Sequence, residues 1–266
     1  MITAADESAV RDQAQLLELR GQGADQAAIR EAYLDLLDIS PGDRVLDLGC
    51  GTGIVARAAA RRVGSNGRVV ALDPSTVLLA LGREIAERDG LLDRIEFQIG
   101  DARRLPFAEG TFDVVLAVTS LSHTTDAEST LPGLVRVTRP GGRIGIFDID
   151  NASWIIAHPD LELTRRIGLV ATMIPVDGWL GRRLPGLLEM AGLDDVQVRA
   201  FTPVERESSG FYAKQAEIWA ATAVACGAIS DGERERWVND LHAEQAANRF
   251  LAGLTHLFIW GRRPEG

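Results

Sequence analysis

Residues 45–53 read Val-Leu-Asp-Leu-Gly-Cys-Gly-Thr-Gly, an apolar strand running straight into glycines at three alternate positions, Gly49, Gly51 and Gly53. A helix-forming run, Ile54 to Val63, follows at once. Glycines at this spacing remove Cβ atoms where the backbone must turn sharply and where a ligand must come close to it. The helix behind them aims its unpaired N–H groups and its positive dipole end at the same point. Strand, turn and helix together make a nucleotide-sized cradle at the carboxyl end of the first strand, the edge at which open α/β sheets hold ligands.

The rest of the chain continues the alternation. Residues 7–38 read as helix, broken at Gly21 and Gly23, and Ser40 to Asp43 as a turn. Further strands are expected at 68–72, 94–99, 112–118 and 143–149, with 112–118 a nearly continuous apolar run suited to a central parallel position. Ser75 is placed to cap a helix over 76–88 that Gly90 closes, and a helix near 127–138 leads into a tight turn at Arg139-Pro-Gly-Gly142. Residues 150–182 show no clean period. A short helix (184–191), a strand (196–204), a helical stretch (207–252) and a final strand (254–261) complete the chain. This pattern predicts a doubly wound α/β domain with inserted helical elements, the direction of the last strand left open.

A net charge of −10 argues against a sequence-independent grip on nucleic acid, whose affinity rests on phosphate neutralisation. No apolar run approaches the roughly 18–20 residues that span a bilayer. The N-terminal Met-Ile-Thr-Ala-Ala-Asp-Glu lacks the basic and apolar stretches of a secretion signal. Two cysteines, Cys50 and Cys226, make no disulfide framework, and with four scattered histidines they offer no metal-ligand spacing. The expectation is a soluble, cytoplasmic protein with no metal, no membrane and no nucleic-acid partner; a homodimer is compatible with the chain.

Three ligands compete for the cradle. A phosphate-binding P-loop needs Lys-Ser or Lys-Thr after its last glycine, and none is present. A dinucleotide fits G-x-G-x-x-A at Gly51–Ala56, with Asp73 standing 20 residues beyond Gly53. A hydride-transferring enzyme of that shape commonly needs a tyrosine–lysine pair, however, and the only lysine, Lys214, lies outside the sheet beside Tyr212. Asp47 would also have no duty beside a pyrophosphate. S-adenosylmethionine (SAM) carries an ammonium, a ribose diol and an adenine but no phosphate; Asp47, Asp73 and Asp101 offer an acid or polar group for each, in order.

Five segments carry a resemblance: Val45–Gly53, Ala71-Leu-Asp73-Pro-Ser, Gly100-Asp101-Ala102 with Leu105-Pro106-Phe107, Thr111-Phe-Asp113-Val-Val, and Leu134 with Arg139-Pro-Gly-Gly142. In register they resemble the signatures of class I SAM-dependent methyltransferases, and among those the small-molecule branch similar to ubiquinone/menaquinone biosynthesis enzymes. The resemblance is strong over about 43–150 and weak beyond. It implies a Rossmann-like seven-stranded sheet with the last strand antiparallel. It also implies a helical cap at 1–42, a SAM-binding core at 43–150, an irregular substrate-side insertion at 151–185, and the rest of the core at 186–266 with a helical lid over 205–253. By the same resemblance Gly49, Cys50, Gly51 and Gly53 line the methionine portion and Asp47 assists them. Asp73, followed by Pro74, takes the ribose hydroxyls, and Asp101 and Ala102 meet the adenine. Val118 stands where an asparagine is frequent, so only a backbone contact is expected there. The blander reading of Asp73 is a cap for the next helix, and of Cys50 a small loop filler.

A sulfonium methyl is already activated, so a base is needed only for an acceptor with a proton to lose. His123, five residues past Val118, is the candidate base, with Asp148 (or Asp150) as its partner by resemblance to related O-methyltransferases. The alternative is a loop histidine that merely packs near the cofactor. Trp154, Met173, Trp179, Phe211, Tyr212 and Trp219 are candidates to line an apolar acceptor pocket, with lid or core packing the alternative for each. These features point to methyl transfer to a small organic molecule, O-methylation before N- or C-methylation. SAM binding without transfer, in regulation or a cofactor-assisted rearrangement, stays open, and an NAD-dependent reductase is the weakest alternative.

Overall fold

The computed structural model describes residues 4–174, 176–206 and 210–265; Pro175 and the start of the predicted helical stretch, 207–209, lie outside them. In chain order the elements are α1 (Ala4–Gln22), α2 (Ala24–Leu36), β1 (Arg44–Leu48), α3 (Ile54–Val63), β2 (Arg68–Asp73), α4 (Thr76–Arg88), β3 (Ile95–Ile99), β4 (Phe112–Val118), α5 (Leu131–Val137) and β5 (Thr138–Ile149). They continue with β6 (Ile155–Ile156), α6 (Leu161–Ala171), α7 (Leu180–Met190), β7 (Asp194–Phe201), β8 (Val204–Glu205), α8 (Phe211–Ala225), α9 (Asp231–Ala246), β9 (Ala252–Gly253) and β10 (His256–Arg262).

The chain divides into two units, one of residues 1–148, 183–199 and 258–266, the other of 149–182 and 200–257. The first carries the large sheet, of seven strands in the order β3-β2-β1-β4-β5-β10-β7. β1 pairs in parallel with β2 and with β4, β2 with β3, and β4 with β5. Buried Val45, Leu46 and Leu48 on β1 and Val114 to Ala117 on β4 are the near-continuous apolar runs that a sheet covered on both faces requires. The strand order reverses at β1, so the crevice beyond the carboxyl ends of β1 and β4 is the topological switch point.

The direction left open in the last strand follows from its backbone bonds. Gly141 N donates to Arg263 O and Arg263 N to Gly142 O, each 2.9 Å, whereas Asp150 N donates to Thr255 O at 3.0 Å. Residue numbers rise along β5 while those of its partners fall, so β10 runs antiparallel to it.

Ser75 caps α4, accepting from Leu78 N at 3.3 Å, and Gly90 follows the helix at φ +66°. The predicted tight turn at Arg139–Gly142 is instead part of a long β5 with a bulge: the register jumps from Phe112 opposite Thr138 to Val114 opposite Arg143.

The second unit has its own core. Trp237, Trp219, Tyr212, Leu241 and Ile167 come together from α6, α8 and α9. Ser230 and Glu233 form a capping box at the start of α9. Three two-residue strands make a small sheet, β6-β9-β8. None was expected, because two residues cannot display an alternating pattern. The irregular stretch expected at 151–185 holds the whole of α6 and the start of α7.

Candidate functional site

Gly49, Gly51 and Gly53 all take positive φ, at +70°, +55° and +78°. At Gly49 the need is steric as well. A Cβ there would lie 3.0 Å from Ser120 Oγ and closer still to its Cβ. Gly53 stands at the N-cap of α3 in the left-handed conformation, which turns β1 into that helix. Thr52, between the last two glycines, donates to Glu18 of α1 at 2.6 Å. Buried Arg57 ties the same carboxylate at 3.0 Å and donates to Thr52 O at 2.7 Å. Helix α1 is thereby fastened to the glycine turn.

Asp47 is buried immediately before this turn. Its Oδ2 has no hydrogen-bond partner among the described residues. Burial pushes its carboxyl up to about 7; the Ala56 N–H opposes the shift and the nearby Asp73 adds to it. An unpaired carboxylate in such a place costs free energy that a cation would recover. Asp73, at the end of β2, accepts from Gly51 N at 2.9 Å and from Ser75 N at 2.8 Å. Burial raises its pKa against those two bonds. It is not the cap of α4, a role Ser75 fills; it braces the glycine turn instead. Both acids border the turn, and burial already disfavours their charged forms, so a phosphate placed there would only add to the repulsion.

Asp101 is half-exposed and gripped by Arg103, whose Nη2 lies 2.6 Å from Oδ2; this holds its carboxyl down at about 2. Pro74 is exposed, while Ala102 and Val118 are half-buried. Cys50 Sγ lies 3.7 Å from Gly51 O, and burial pushes the thiol well above its usual range, which suits a loop filler better than a nucleophile.

The expected His123–Asp148 pair is not formed. Asp148 is fully buried at the end of β5 and accepts from Ser122, Oδ2 from the backbone N–H at 2.9 Å and Oδ1 from the hydroxyl at 2.7 Å. His123 closes the one-turn 3₁₀ helix Leu121–His123, which keeps its ring exposed. Asp150 is not its partner either, since it pairs with Arg182 at 2.8 Å. Sequence reasoning missed Ser120 and Ser122; the signal was a run of hydroxyls, Thr119-Ser120-Leu-Ser122, directly after an apolar strand.

The six pocket candidates belong to the second unit and fall into two sets. Trp219 and Tyr212 are buried in its core, Trp154 stacks edge-on against Trp219 with ring centroids 5.0 Å apart, and Phe211 packs on the same cluster. Met173 and Trp179 are 78% and 47% exposed, the latter with the Arg182 guanidinium 4.5 Å from its ring centroid. Large apolar side chains without a period read alike for both sets, so only the fold separates them. Among the described residues there is no cluster of three or more His, Cys, Asp or Glu side chains able to hold a metal, and no helix is long and apolar enough to cross a membrane.

Residues 45–142 match the family model described as a methyltransferase domain. An uncharacterized 37.1 kDa protein in transposon TN4556 of Streptomyces fradiae is 32% identical over 253 residues, covering 94% of this chain and 71% of that protein. A demethylmenaquinone methyltransferase of Bacillus cytotoxicus is 31% identical over 190 residues, covering 66% of this chain and 80% of that protein. The chain spans about half the length of several curated ubiquinone/menaquinone biosynthesis C-methyltransferases that it matches. Among solved structures, the YcgJ protein of Bacillus subtilis shares the fold at a TM-score of 0.61 and 18% identity, over 89% of this chain and 98% of that one. With four fifths of a named methyltransferase aligned to it and the motif-bearing core inside the matched domain, the chain belongs to the class I SAM-dependent methyltransferases.

Proposed function

We propose that the protein transfers the methyl group of SAM to a small organic acceptor, with oxygen the favoured acceptor atom. The observation that carries this reading is the orphaned Asp47 carboxyl oxygen beside the glycine turn at the carboxyl end of β1. An ammonium satisfies it and a pyrophosphate does not. In this reading Asp47 takes the ammonium and Gly49, Cys50, Gly51 and Gly53 border the methionine portion. Asp73 takes the ribose hydroxyls on the lone pairs left by its two backbone bonds, with Pro74 alongside. Asp101 meets the exocyclic amine, and Ala102 and Val118 contribute backbone contacts.

When bound, the cofactor supplies a methyl group already activated on sulfonium. The chain then has to align the acceptor, exclude water and, for a hydroxyl, remove a proton. Alignment of this kind contributes on the order of 7–11 kcal/mol to lowering a barrier. His123, exposed on the loop leaving β4, is the group that can take the proton, and it does so without Asp148 behind it. Of the six pocket candidates, Met173 and Trp179 are the two that their own unit leaves exposed. Carbon is the second reading for the acceptor atom, because several relatives are named C-methyltransferases.

Titration calorimetry with S-adenosylhomocysteine (SAH) and NADH in parallel tests the cofactor: SAH binds and NADH does not, and the reverse overturns the reading. His123→Ala is expected to lower turnover on a hydroxyl acceptor by about 10²–10⁴-fold with SAH affinity unchanged. Unaltered methyl transfer at every pH would remove His123 from the chemistry.

A further inference from the structure

We infer that Asp148 is a positioning residue: through Ser122 it fixes the loop Thr119–His123 as the wall of the cofactor crevice opposite the glycine turn, and this rests on the cofactor reading above. The loop leaves β4 at the switch point and is tied at three places. Thr119 N donates to Phe147 O on β5 at 2.6 Å, and Ser120 Oγ to Leu48 O on β1 at 3.0 Å. Ser122 donates twice to Asp148, from backbone N–H and from hydroxyl. The last tether is buried and two-pronged, so it sets both the backbone and the rotamer of Ser122.

The tethers hold the loop in a conformation it would not choose. Thr119 sits at φ +48°, which a β-branched residue adopts only when its surroundings impose it. The consequence is local and visible. Ser120 is pressed into the space that only a glycine at position 49 leaves open. Without the Ser122–Asp148 tether Thr119 can relax, and Ser120 withdraws from Gly49. The crevice wall then has to be ordered by the ligand itself, at the expense of affinity.

The test compares SAH affinity by calorimetry and amide exchange over residues 119–124 in the full chain and its variants. Ser122→Ala is expected to weaken SAH about tenfold, the loss usual when a buried acceptor is left without its donor, and to speed exchange in this segment. Ser122→Thr keeps both donors and is expected to stay within about threefold of the parent, a rescue that a mere packing role would not produce. Asp148→Asn turns an amide N–H₂ toward one donor and is expected to behave like Ser122→Ala, so the idea does not depend on one variant folding. Parent-like affinity in Ser122→Ala, or equal loss in Ser122→Thr, overturns the positioning role while leaving the cofactor reading intact. A parent chain that does not bind SAH overturns both.

Discussion

Gly49→Ala separates two costs that usually come together. The first is conformational: an alanine at φ +70° sits in the left-handed region, which costs about 1–2 kcal/mol. The second is contact. The new Cβ lands 3.0 Å from Ser120 Oγ and closer to its Cβ, and Ser120 cannot step aside because its hydroxyl is bonded to Leu48 O and its neighbours are tied to β5. Forcing an extra carbon into a packed site typically costs about 1–3 kcal/mol. The sum is about 2–5 kcal/mol, and at about 2–4 °C per kcal/mol for a unit of this size the melt should fall by about 4–20 °C. Gly90→Ala is the control: Gly90 has nearly the same φ, +66°, but a Cβ there would meet nothing within 4 Å, so only the conformational cost applies. Thermal melts of both variants, with Gly49→Ala/Ser120→Gly as a third, isolate the contact: the double variant should recover toward the level of Gly90→Ala, short of it by the lost Ser120–Leu48 bond, about 0.5–1.5 kcal/mol. If Gly49→Ala and Gly90→Ala melt together, or if Ser120→Gly brings no recovery, the close approach of the loop to the glycine turn is wrong.

Three other perturbations probe the rest of the molecule. Asp47 has its carboxyl raised by burial to about 7 in the folded chain, so between about pH 4 and about pH 7 the folded state holds a proton that the unfolded state has lost. Stability of the ligand-free protein should therefore fall as pH rises through that window and level off above it, while SAH affinity strengthens over the upper part; melts of Asp47→Asn should show a flatter profile, and a parallel one refutes the assignment. Glu18→Ala leaves buried Arg57 short of its main partner and should cost roughly 1–3 kcal/mol, with faster amide exchange in α1 as the specific sign. In the second unit Trp219→Ala should cost about 3–5 kcal/mol and Met173→Ala no more than about 0.5, measured by urea unfolding; equal effects would contradict the division between core and surface.

What was legible in the chain was local. Val45 to Gly53 names a strand, a turn and the start point of the next helix within nine residues, and Asp47 and Asp73 sit near strand ends where pattern alone can put them. The partner of Asp148 was not legible, because Ser122 is 26 residues away and meets it only through the parallel register of β4 and β5. The Glu18–Thr52 bond spans 34 residues and depends on where α1 lies, which no period reports. Trp219 and Met173 look equally suited to a pocket until the packing of α6, α8 and α9 buries the first and leaves the second exposed. His123 lies on the loop leaving β4 but not against Asp148: the one-turn helix that contains it turns Ser122, not the imidazole, toward β5.

The crevice thus combines two opposite states of satisfaction. Its backbone is over-determined: Gly49 is fitted to Ser120, Thr119 is held at an unfavourable φ, and Ser122 is clamped by a buried carboxylate. Its acids are under-satisfied, with an Asp47 oxygen lacking any partner among the described residues and Asp73 raised by burial despite two bonds. A site built only for stability would reverse this, relaxing Thr119 and replacing Asp47 with an apolar side chain. Rigid walls around an unpaired charge are what electrostatic preorganisation requires, since the walls need no rearrangement when a complementary cation arrives and the charge gains only then. The instability stored at Asp47 is therefore the strongest physical argument that the ligand at the end of β1 is positively charged there, and Asp148 serves it from a distance by keeping the opposite wall still.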